Sequence, residues 1–294
     1  MKKTLIIIIV SLFFLAAATG FIVALASKLS LYNVFFALTP TETVFPEANI
    51  LLLGIDDAFG HRADTIMVLH TNPANNQAAL ISIPRDTLAV LPGRGLDKIN
   101  HAYAYGGVEL TRQSVEQMLN IEIPYYIIVN LAGIANIIDE LGGVKIEVEK
   151  RMYYVDHAAN LYIDLEPGQQ TLSGKEVMGY LRYRRDGGDF SRISRQHKFL
   201  TAMADELLKK SNLVRSPAIF LTLLSYLDTN LNSKQTIALS LGLRRAYELG
   251  QVKMATLPGT DLMIDGIYYW KADTEALKQI VKQFIKEPKL SYNE

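Results

Sequence analysis

Residues 49–56, NILLLGID, form an apolar run that ends at an acidic residue, and the length and composition of this run are typical of a buried β-strand. Two similar runs follow at short intervals, DTIMVLHT at residues 64–71 and QAALISI at residues 77–83. Pro73 and Pro84 bracket the third run. Because strands that are close in sequence usually neighbour each other in space, we expect all three in one sheet.

Beyond these strands the pattern alternates between helices and strands. Residues 131–141 predict a helix between strands at residues 121–130 and 144–148. The order strand, helix, strand implies a crossover, and therefore a sheet with both parallel and antiparallel neighbours. The predicted fold class is α/β, with a mixed central sheet flanked by helices, in one domain that covers residues 49–290.

Further helices and turns complete this domain. Residues 106–107, Gly-Gly, should separate a short helix from a longer one at residues 108–120, and residues 173–176, Ser-Gly-Lys-Glu, form a capping-box pattern. Residues 150–170 are expected to be mostly loop or edge strand. The remaining predicted elements are a helix capped by Ser216, a helix capped by Ser233, strands at residues 251–257 and 263–270, and a closing helix at residues 273–285.

The N-terminal region has the composition of a membrane span. Residues 5–26 are 22 residues without a charge, which is long enough to cross the hydrocarbon core of a bilayer as a helix. The two lysines before this run place the N-terminus in the cytoplasm. A cleavable signal that ends at residues 24–26, Ala-Leu-Ala, is the alternative, and it also places the domain outside the cytoplasmic membrane. The predicted arrangement is a single-pass cell-membrane protein with a cytoplasmic N-terminus at residues 1–4, a transmembrane helix at residues 5–27, a linker at residues 28–48 and an extracytoplasmic domain.

The composition narrows the function classes. The chain has 294 residues, 49% of them hydrophobic, which suffices for one sizeable core. Its formal net charge is zero, and because a nucleic-acid-binding protein usually carries a basic excess, nucleic acid is not expected as a partner. The absence of cysteine excludes disulfides, thiol catalysis and thiolate metal sites. The five histidines show no short metal-ligand spacing.

Charged residues gather at the ends of the first three strands. Asp56 ends the first strand, Asp64 begins the second, and Arg85 and Asp86 follow the third. If the first two strands form an antiparallel hairpin, Asp56 and Asp64 meet at one edge of the sheet. Two carboxylates beside arginines suit a hard cation whose ligands are completed by substrate phosphate, as Mg²⁺ prefers. The alternative is that these acids are solvated residues of the turns.

Residues 181–196, LRYRRDGGDFSRISRQ, concentrate five arginines within fourteen residues of a chain that is neutral overall. The two glycines break any helix, and a new helix is predicted from Phe190 onward. Guanidinium groups in its first turns suit phosphate oxygens, so a ligand with a phosphate head and an apolar tail would fit it. The alternative is a solvated basic patch paired with Asp186 and Asp189. One face of the helix begins with cations and continues with apolar side chains: Arg192, Arg195, Gln196, Phe199 and Met203.

Taken in order, the motifs of residues 49–210 closely resemble the LytR-CpsA-Psr family. The ordered set is far more specific than any single motif. The resemblance implies the α-β-α domain of this family and a phosphotransferase activity that moves a glycopolymer from a polyprenyl pyrophosphate carrier to a cell-wall acceptor. The motifs are NILLLGID at 49–56, RADT at 62–65, SIPRD at 82–86, KIN, AY and GG within 98–107, LGGV at 141–144, PG and LSG within 167–174, YLRYR at 180–184 and DFSRISRQ at 189–196.

The resemblance also implies partners, a cofactor and site residues. The donor would be a glycopolymer such as a teichoic acid or a capsule polymer, the acceptor a hydroxyl of peptidoglycan, and the cofactor Mg²⁺ held by Asp56 and Asp64. This sequence departs from many members by a short loop between the two acids and by the absence of an arginine soon after the first. The resemblance assigns the pyrophosphate to Arg85, Arg182, Arg184, Arg192 and Arg195, with support from Arg62, Lys98, Asp189 and Gln196.

Phosphoryl transfer requires mainly alignment and charge neutralisation, which arginines and Mg²⁺ supply. We expect the acceptor hydroxyl to attack the glycan-side phosphorus while polyprenyl phosphate leaves. Asp86 is a candidate base for this hydroxyl, or it only orients the arginine before it. A module that binds polyprenyl phosphate without turnover and a hydrolase that releases the glycan to water are the other function classes. The catalytic candidates are Arg85, Asp86, Arg182 and Arg195, and the aromatic residues expected at the mouth or in the core are Tyr103, Tyr180 and Tyr183.

Overall fold

A computed structural model describes residues 44–55, 63–157, 161–183, 185, 188–209 and 226–285 of the chain. The predicted transmembrane helix, most of the predicted linker and the helix predicted at Ser216 lie outside these ranges. Within these ranges, no helix is both long and apolar enough to span a bilayer.

The strands are β1 Ala48–Ile55, β2 Ala63–Asn72, β3 Gln77–Ile83, β4 Leu88–Leu91, β5 Gly95–Lys98, β6 Tyr125–Asn130, β7 Val144–Val148, β8 Met152–Asp156, β9 Leu161–Leu165, β10 Gly168–Leu172, β11 Leu227–Thr229, β12 Val252–Thr256, β13 Gly259–Ile264 and β14 Ile267–Ala272. The helices are α1 His101–Leu119, α2 Leu131–Leu141, α3 Gly174–Arg182, α4 Gly188–Leu208, α5 Ser233–Glu248 and α6 Thr274–Phe284.

Six strands form the central sheet, in the order β11-β6-β1-β2-β3-β12. The first three strands are antiparallel neighbours, with Leu51 opposite Val68 and Leu69 opposite Leu80. β6 runs parallel to β1 and β12 runs parallel to β3, whereas β11 is antiparallel to β6. The predicted α/β class with a mixed sheet is therefore confirmed, as is the pairing of the first three strands.

Helices cover both faces of the central sheet, which explains the continuous apolar runs at residues 50–53, 66–69 and 78–81. Leu53, Val68 and Ile81 share a core with residues of α1 and α6. Leu69 and Leu80 belong to a second core with residues of α5. Because successive side chains of a strand point to opposite faces, each apolar run supplies both cores.

A second, smaller layer contains the strands β7 to β10 together with α3 and α4. β7 pairs with β10 and β8 pairs with β9, in two antiparallel sheets of two strands each. Ile146, Ile163 and Leu172 of these strands pack with Tyr180 of α3 and Phe199 of α4. Residues 150–170, expected to be loop or edge strand, therefore contribute edge strands. The alternation of apolar and polar residues predicts strands only weakly in this segment, because β8 and β9 have only 5 residues each.

Two local features predicted from the sequence are present in the helices, a capping box and a glycine interruption. The Ser173 side chain accepts a hydrogen bond from Glu176 N, and Ser173 N donates to Glu176 Oε2 at 2.8 Å. This is the capping box predicted for α3. Gly107 has a φ of 63°, which interrupts α1 at the point where two separate helices were predicted.

Two predicted boundaries are corrected by the structure. The N-cap of α5 is Asn232 and not Ser233, because the Asn232 side chain accepts from Gln235 N at 2.9 Å and Gln235 Oε1 accepts from Asn232 N. An asparagine caps a helix as well as a serine does, so composition could not decide between the two neighbours. The strand expected from residue 121 begins only at Tyr125, since Pro124 has no N–H to donate to a ladder.

Candidate active site

A cavity of about 700 Å³ is lined by the central sheet and by the second layer, and its wall has a polar and an apolar part. This volume lies in the range of ligand-binding pockets. The polar wall includes Asp64, Arg85, Asp86, Lys98, Arg192 and Gln196. The apolar wall includes Leu52, Met67, Val129, Ile134, Phe199 and Leu200.

Arg85 is the cation around which the polar wall is built, and a hydrogen-bonded turn after β3 presents it to the cavity. Its Nη1 donates to Asp64 Oδ1 at 2.7 Å. Its Nε lies 3.5 Å from Asp86 Oδ2 and 3.5 Å from Asp189 Oδ1. Burial acts to lower the pKa of Arg85, but the charges of Asp189, Asp64 and Asp86 and the hydrogen bond to Asp64 outweigh it, and the pKa is raised above its ordinary value. The guanidinium therefore stays charged.

Asp86 and Lys98 extend this network towards β14. Lys98 Nζ donates to Asp86 Oδ1 at 2.8 Å and lies 5.6 Å from the ring centroid of Tyr269. The backbone carbonyl of Asp86 accepts a hydrogen bond from Trp270 N at 2.8 Å. Both carboxylate oxygens of Asp86 thus face cations. This geometry favours the alternative in which Asp86 orients Arg85.

The first turns of α4 supply the next part of the polar wall. Arg192 is 4% exposed, and its Nη2 donates to Asp189 Oδ2 at 3.0 Å. Gln196 lies about one turn further on, and its Nε2 donates to Thr65 Oγ1 of β2 at 2.8 Å. Phe199 continues this face into the apolar wall. The predicted stripe that changes from guanidinium to hydrocarbon is therefore present on α4.

Arg195 is placed differently from Arg192. It is 2% exposed, its Nη2 donates to the backbone carbonyl of Tyr183, and its guanidinium carbon lies 5.9 and 5.7 Å from the ring centroids of Tyr180 and Tyr183. With 3.6 residues per turn, Arg195 lies roughly 60° from Arg192 around the helix, on the side away from Gln196. Arg195 is not among the described residues that line the cavity. Tyr180 and Tyr183 both belong to the core of the second layer.

Arg182 and Arg185 reach the cavity from the end of α3 and the turn that follows it. The guanidinium carbon of Arg185 lies 5.0 Å from the ring centroid of Tyr154, which also lines the cavity. Tyr103, expected either at the mouth of the site or in the core, packs against the core of the sheet and α1. The predicted site residues that lie outside the described residues are Asp56, Arg62 and Arg184.

Several lining residues were not predicted from the sequence. Asn100 is 4% exposed, and its Oδ1 has no hydrogen-bond partner among the described residues. His101 begins α1, and its Nδ1 lies 3.0 Å from Asp97 Oδ2. Both follow shortly after Lys98, so the polar run after β5 was the signal that could have marked them. The unpredicted lining residues that are polar include Thr65, Asn100, His101, Tyr154 and Arg185.

The first two strands meet at the edge of the sheet where a metal was expected. Ile55 of β1 pairs with Ala63 of β2, so Asp64 lies beside the end of β1, which Asp56 follows in the sequence. Among the residues that the structure describes, no group of three or more histidine, aspartate or glutamate side chains could hold a metal ion. The Asp64 carboxylate on the cavity wall is an oxygen ligand of the kind that Mg²⁺ prefers when phosphate completes its shell.

Comparison with known proteins identifies the class to which this fold and cavity belong. The profile of the LytR_cpsA_psr family matches residues 38–286. The polyisoprenyl-teichoic acid–peptidoglycan teichoic acid transferase TagU of Bacillus subtilis is 32% identical over 240 residues, which are 80% of this chain and 76% of TagU. The chain belongs to the LytR-CpsA-Psr family, as its ordered motifs predicted.

Two solved structures of Bacillus subtilis proteins share this fold. TagV superposes with a TM-score of 0.72 at 28% identity, over 82% of this chain and 97% of TagV. TagT with a bound octaprenyl pyrophosphate lipid superposes with a TM-score of 0.63 at 29% identity, over 84% of this chain and 93% of TagT. These structures confirm the predicted fold class, and the name of TagU agrees with the predicted transferase class.

Proposed function

We propose that this protein is a membrane-anchored phosphotransferase that moves a glycopolymer from a polyprenyl pyrophosphate carrier to a hydroxyl of peptidoglycan, outside the cytoplasmic membrane. The observation that carries the proposal is one cavity in which ion-paired cations adjoin an apolar wall. A polyprenyl pyrophosphate joins a charged head to an apolar chain, and such a cavity suits both parts. The name of TagU and the lipid bound to TagT support this assignment.

Charge balance on the polar wall indicates how the head group is held. Arg85, Lys98 and Arg192 are paired with three carboxylates, which fix the positions of the cations. The charge of the pyrophosphate must therefore be matched by further cations on the same wall. Arg182 and Arg185 also line the cavity and add to its positive charge, and guanidinium forks bind phosphate oxygens in pairs.

Transfer consists of one substitution at the glycan-side phosphorus. The acceptor hydroxyl oxygen forms a bond to this phosphorus, the bond to the bridging oxygen breaks, and its electron pair leaves with polyprenyl phosphate. Arg85 and Lys98 stabilise the charge that develops on the phosphate oxygens, and the leaving prenyl chain rests against the apolar wall. Mg²⁺, held by Asp64 and Asp56, would supply further charge neutralisation.

The test uses the full chain in detergent micelles with a polyprenyl pyrophosphate-linked oligosaccharide, Mg²⁺ and a peptidoglycan oligomer. We expect a product that contains both the oligosaccharide and the peptidoglycan, together with released polyprenyl phosphate. Product with water in place of the acceptor would identify a hydrolase. Tight binding of the donor without any product would identify a binding module. Loss of product in EDTA, restored by Mg²⁺, checks the cofactor.

A further inference from the structure

A histidine and an aspartate form a pair on the cavity wall that the predicted site does not use. His101, the first residue of α1, lines the cavity, and its Nδ1 lies 3.0 Å from Asp97 Oδ2 of β5. Asp97 is held on further sides: its Oδ1 accepts from Lys98 N at 2.7 Å and its Oδ2 accepts from the Tyr105 hydroxyl at 3.1 Å. The pair is thus fixed before any substrate arrives.

The contacts of the pair determine which imidazole nitrogen carries the proton. Burial acts to raise the pKa of Asp97, but hydrogen bonds, above all from His101, outweigh it, and the pKa is lowered below its ordinary value. The carboxylate is therefore ionised at neutral pH and can only accept hydrogen bonds, so Nδ1 must be the donor. In the neutral ring the lone pair is then on Nε2. No hydrogen bond to Nε2 is present in the described part of the chain.

We propose that His101 is the general base that takes the proton from the acceptor hydroxyl and that Asp97 is a positioning residue for it. This assignment rests on the proposed transferase function. Asp86, the base considered from the sequence, is a weaker candidate because both of its carboxylate oxygens face cations. Asp97 contacts no arginine or lysine side chain within ion-pair distance in the described ranges.

The proton transfer completes the substitution without any further reactant. As the hydroxyl oxygen bonds to the glycan-side phosphorus, its proton moves to His101 Nε2 and the ring becomes an imidazolium. The electron pair of the broken bond remains on the polyprenyl phosphate that leaves. The Asp97 carboxylate stabilises the imidazolium through the bond to Nδ1, and the ring then returns its proton to solvent or to the leaving phosphate.

Charged and titratable groups from several elements surround this pair. Tyr105 stacks edge-on against His101 at a centroid distance of 5.9 Å, and the guanidinium carbon of Arg94 lies 5.0 Å from the centroid of the Tyr105 ring. Lys98 lines the same wall, and its ammonium group faces Asp86 at 2.8 Å. The groups that a pH profile must take into account are therefore Arg85, Asp86, Arg94, Asp97, Lys98 and Tyr105.

Two substitutions test the base and one serves as a matched control. His101→Gln removes the base. Asp97→Asn reverses the tautomer: Lys98 N keeps the amide oxygen in place, so the amide NH₂ faces Nδ1 and Nε2 must carry the proton. Tyr105→Phe removes a hydrogen bond from the same carboxylate oxygen but leaves the tautomer unchanged.

We expect His101→Gln and Asp97→Asn to lower the kcat of transfer by about 10²–10⁴-fold, the usual contribution of general base catalysis. Tyr105→Phe removes one of the hydrogen bonds that hold Asp97 but leaves the base and its tautomer in place, so its loss of kcat should be at least about tenfold smaller than that of Asp97→Asn. Binding of the donor, measured with polyprenyl pyrophosphate lacking the glycan, should be unchanged in all three variants. The wild-type kcat should fall on the acid side as one group takes up a proton, and this fall should be absent from the residual activity of His101→Gln.

The outcomes separate this inference from the proposed function. If the wild type forms no transfer product, the proposed function is wrong. If the wild type transfers and Asp97→Asn retains both its rate and the acid fall, His101 is not the base. If Tyr105→Phe loses as much activity as Asp97→Asn, or if His101→Gln loses donor binding, the pair has a structural or a binding role and the inference is again wrong.

Discussion

The polar and the apolar wall of the cavity are held in place by different forces. On the polar wall Arg85, Lys98 and Arg192 each have a carboxylate within 3.0 Å, so their positions are fixed by directional bonds. On the apolar wall the side chains of Val129 and Leu200 make packing contacts, which are non-directional. Substitutions on the polar wall should therefore strongly reduce the rate of transfer or the binding of the donor. Substitutions on the apolar wall should have smaller effects, on which length of lipid chain is preferred.

The largest effect is expected for Arg85→Ala. The substitution removes the cation that contacts Asp64, Asp86 and Asp189, so less positive charge remains on the polar wall to balance these carboxylates and the pyrophosphate. We expect transfer to fall by at least about 10²–10³-fold, the usual cost of removing one preorganised electrostatic contact. Turnover of the donor with peptidoglycan acceptor measures it, and circular dichroism checks that the fold is intact.

Arg244→Ala is the matched control for this experiment. Arg244 is an exposed arginine of α5 that pairs with Glu248 at 2.8 Å, four residues further along the helix. Such pairs contribute little, so transfer should stay at the wild-type rate. Equal rates for Arg85→Ala and Arg244→Ala would remove Arg85 from the mechanism.

A smaller effect separates two arginines of α4 that have the same chemistry but different surroundings. Arg192 lines the polar wall, so Arg192→Ala should weaken donor binding by about 10–100-fold, the contribution of a hydrogen bond to a charged group. Arg195 lies against Tyr180 and Tyr183. Arg195→Ala should instead lower the Tm, by about 3–10 °C, since it removes a buried charged donor.

Donor titration and thermal melting of both variants provide the comparison. A pattern in which Arg195→Ala melts like the wild type but fails to bind donor would show that Arg195 contacts the pyrophosphate, as the family resemblance implies. The reverse pattern would assign Arg195 to the core of the second layer.

The two walls also differ in how far the sequence reveals them. Arg85 and Asp64 could be predicted because few charged residues flank such apolar strands, and their placement at strand ends brings them to one edge of the sheet. The spacing of Arg192 and Arg195 could not show which of them faces the cavity, since both lie within one broad face of the helix. Leu52 and Val129 have the sequence pattern of core residues. Whether space remains beside them depends on how the two layers pack, which no local pattern specifies.

A substitution on the apolar wall should change which lipid is preferred. Val129 lines the cavity from β6, and Val129→Phe adds volume that shortens the space for the prenyl chain. We expect affinity for long-chain donors to fall by about 10-fold, since each CH₂ kept out of an apolar site costs about 0.8 kcal/mol. Affinity for a short-chain donor should be unchanged. Val129→Ile, a smaller increase, is the control, and an equal loss for both donor lengths would mean that the chain does not lie beside β6.

The smallest effect is expected at His197 of α4, which is not among the described residues of the cavity wall. Burial lowers the pKa of His197, whose Nε2 lies 2.8 Å from Ser82 Oγ. Burial also lowers the pKa of His70, although Glu47 acts to raise it. Because the folded state resists protonation, the unfolded state takes up more protons as the pH falls below about 6.5, and stability is lost in that range.

Between pH 7.5 and pH 5 the Tm should fall by a few °C, roughly 2–4 °C for each kcal/mol. His197→Gln can still form a hydrogen bond with Ser82 but does not titrate, so its Tm should fall less as the pH is lowered. Equal slopes for the variant and the wild type would mean that His197 contributes nothing to the acid sensitivity.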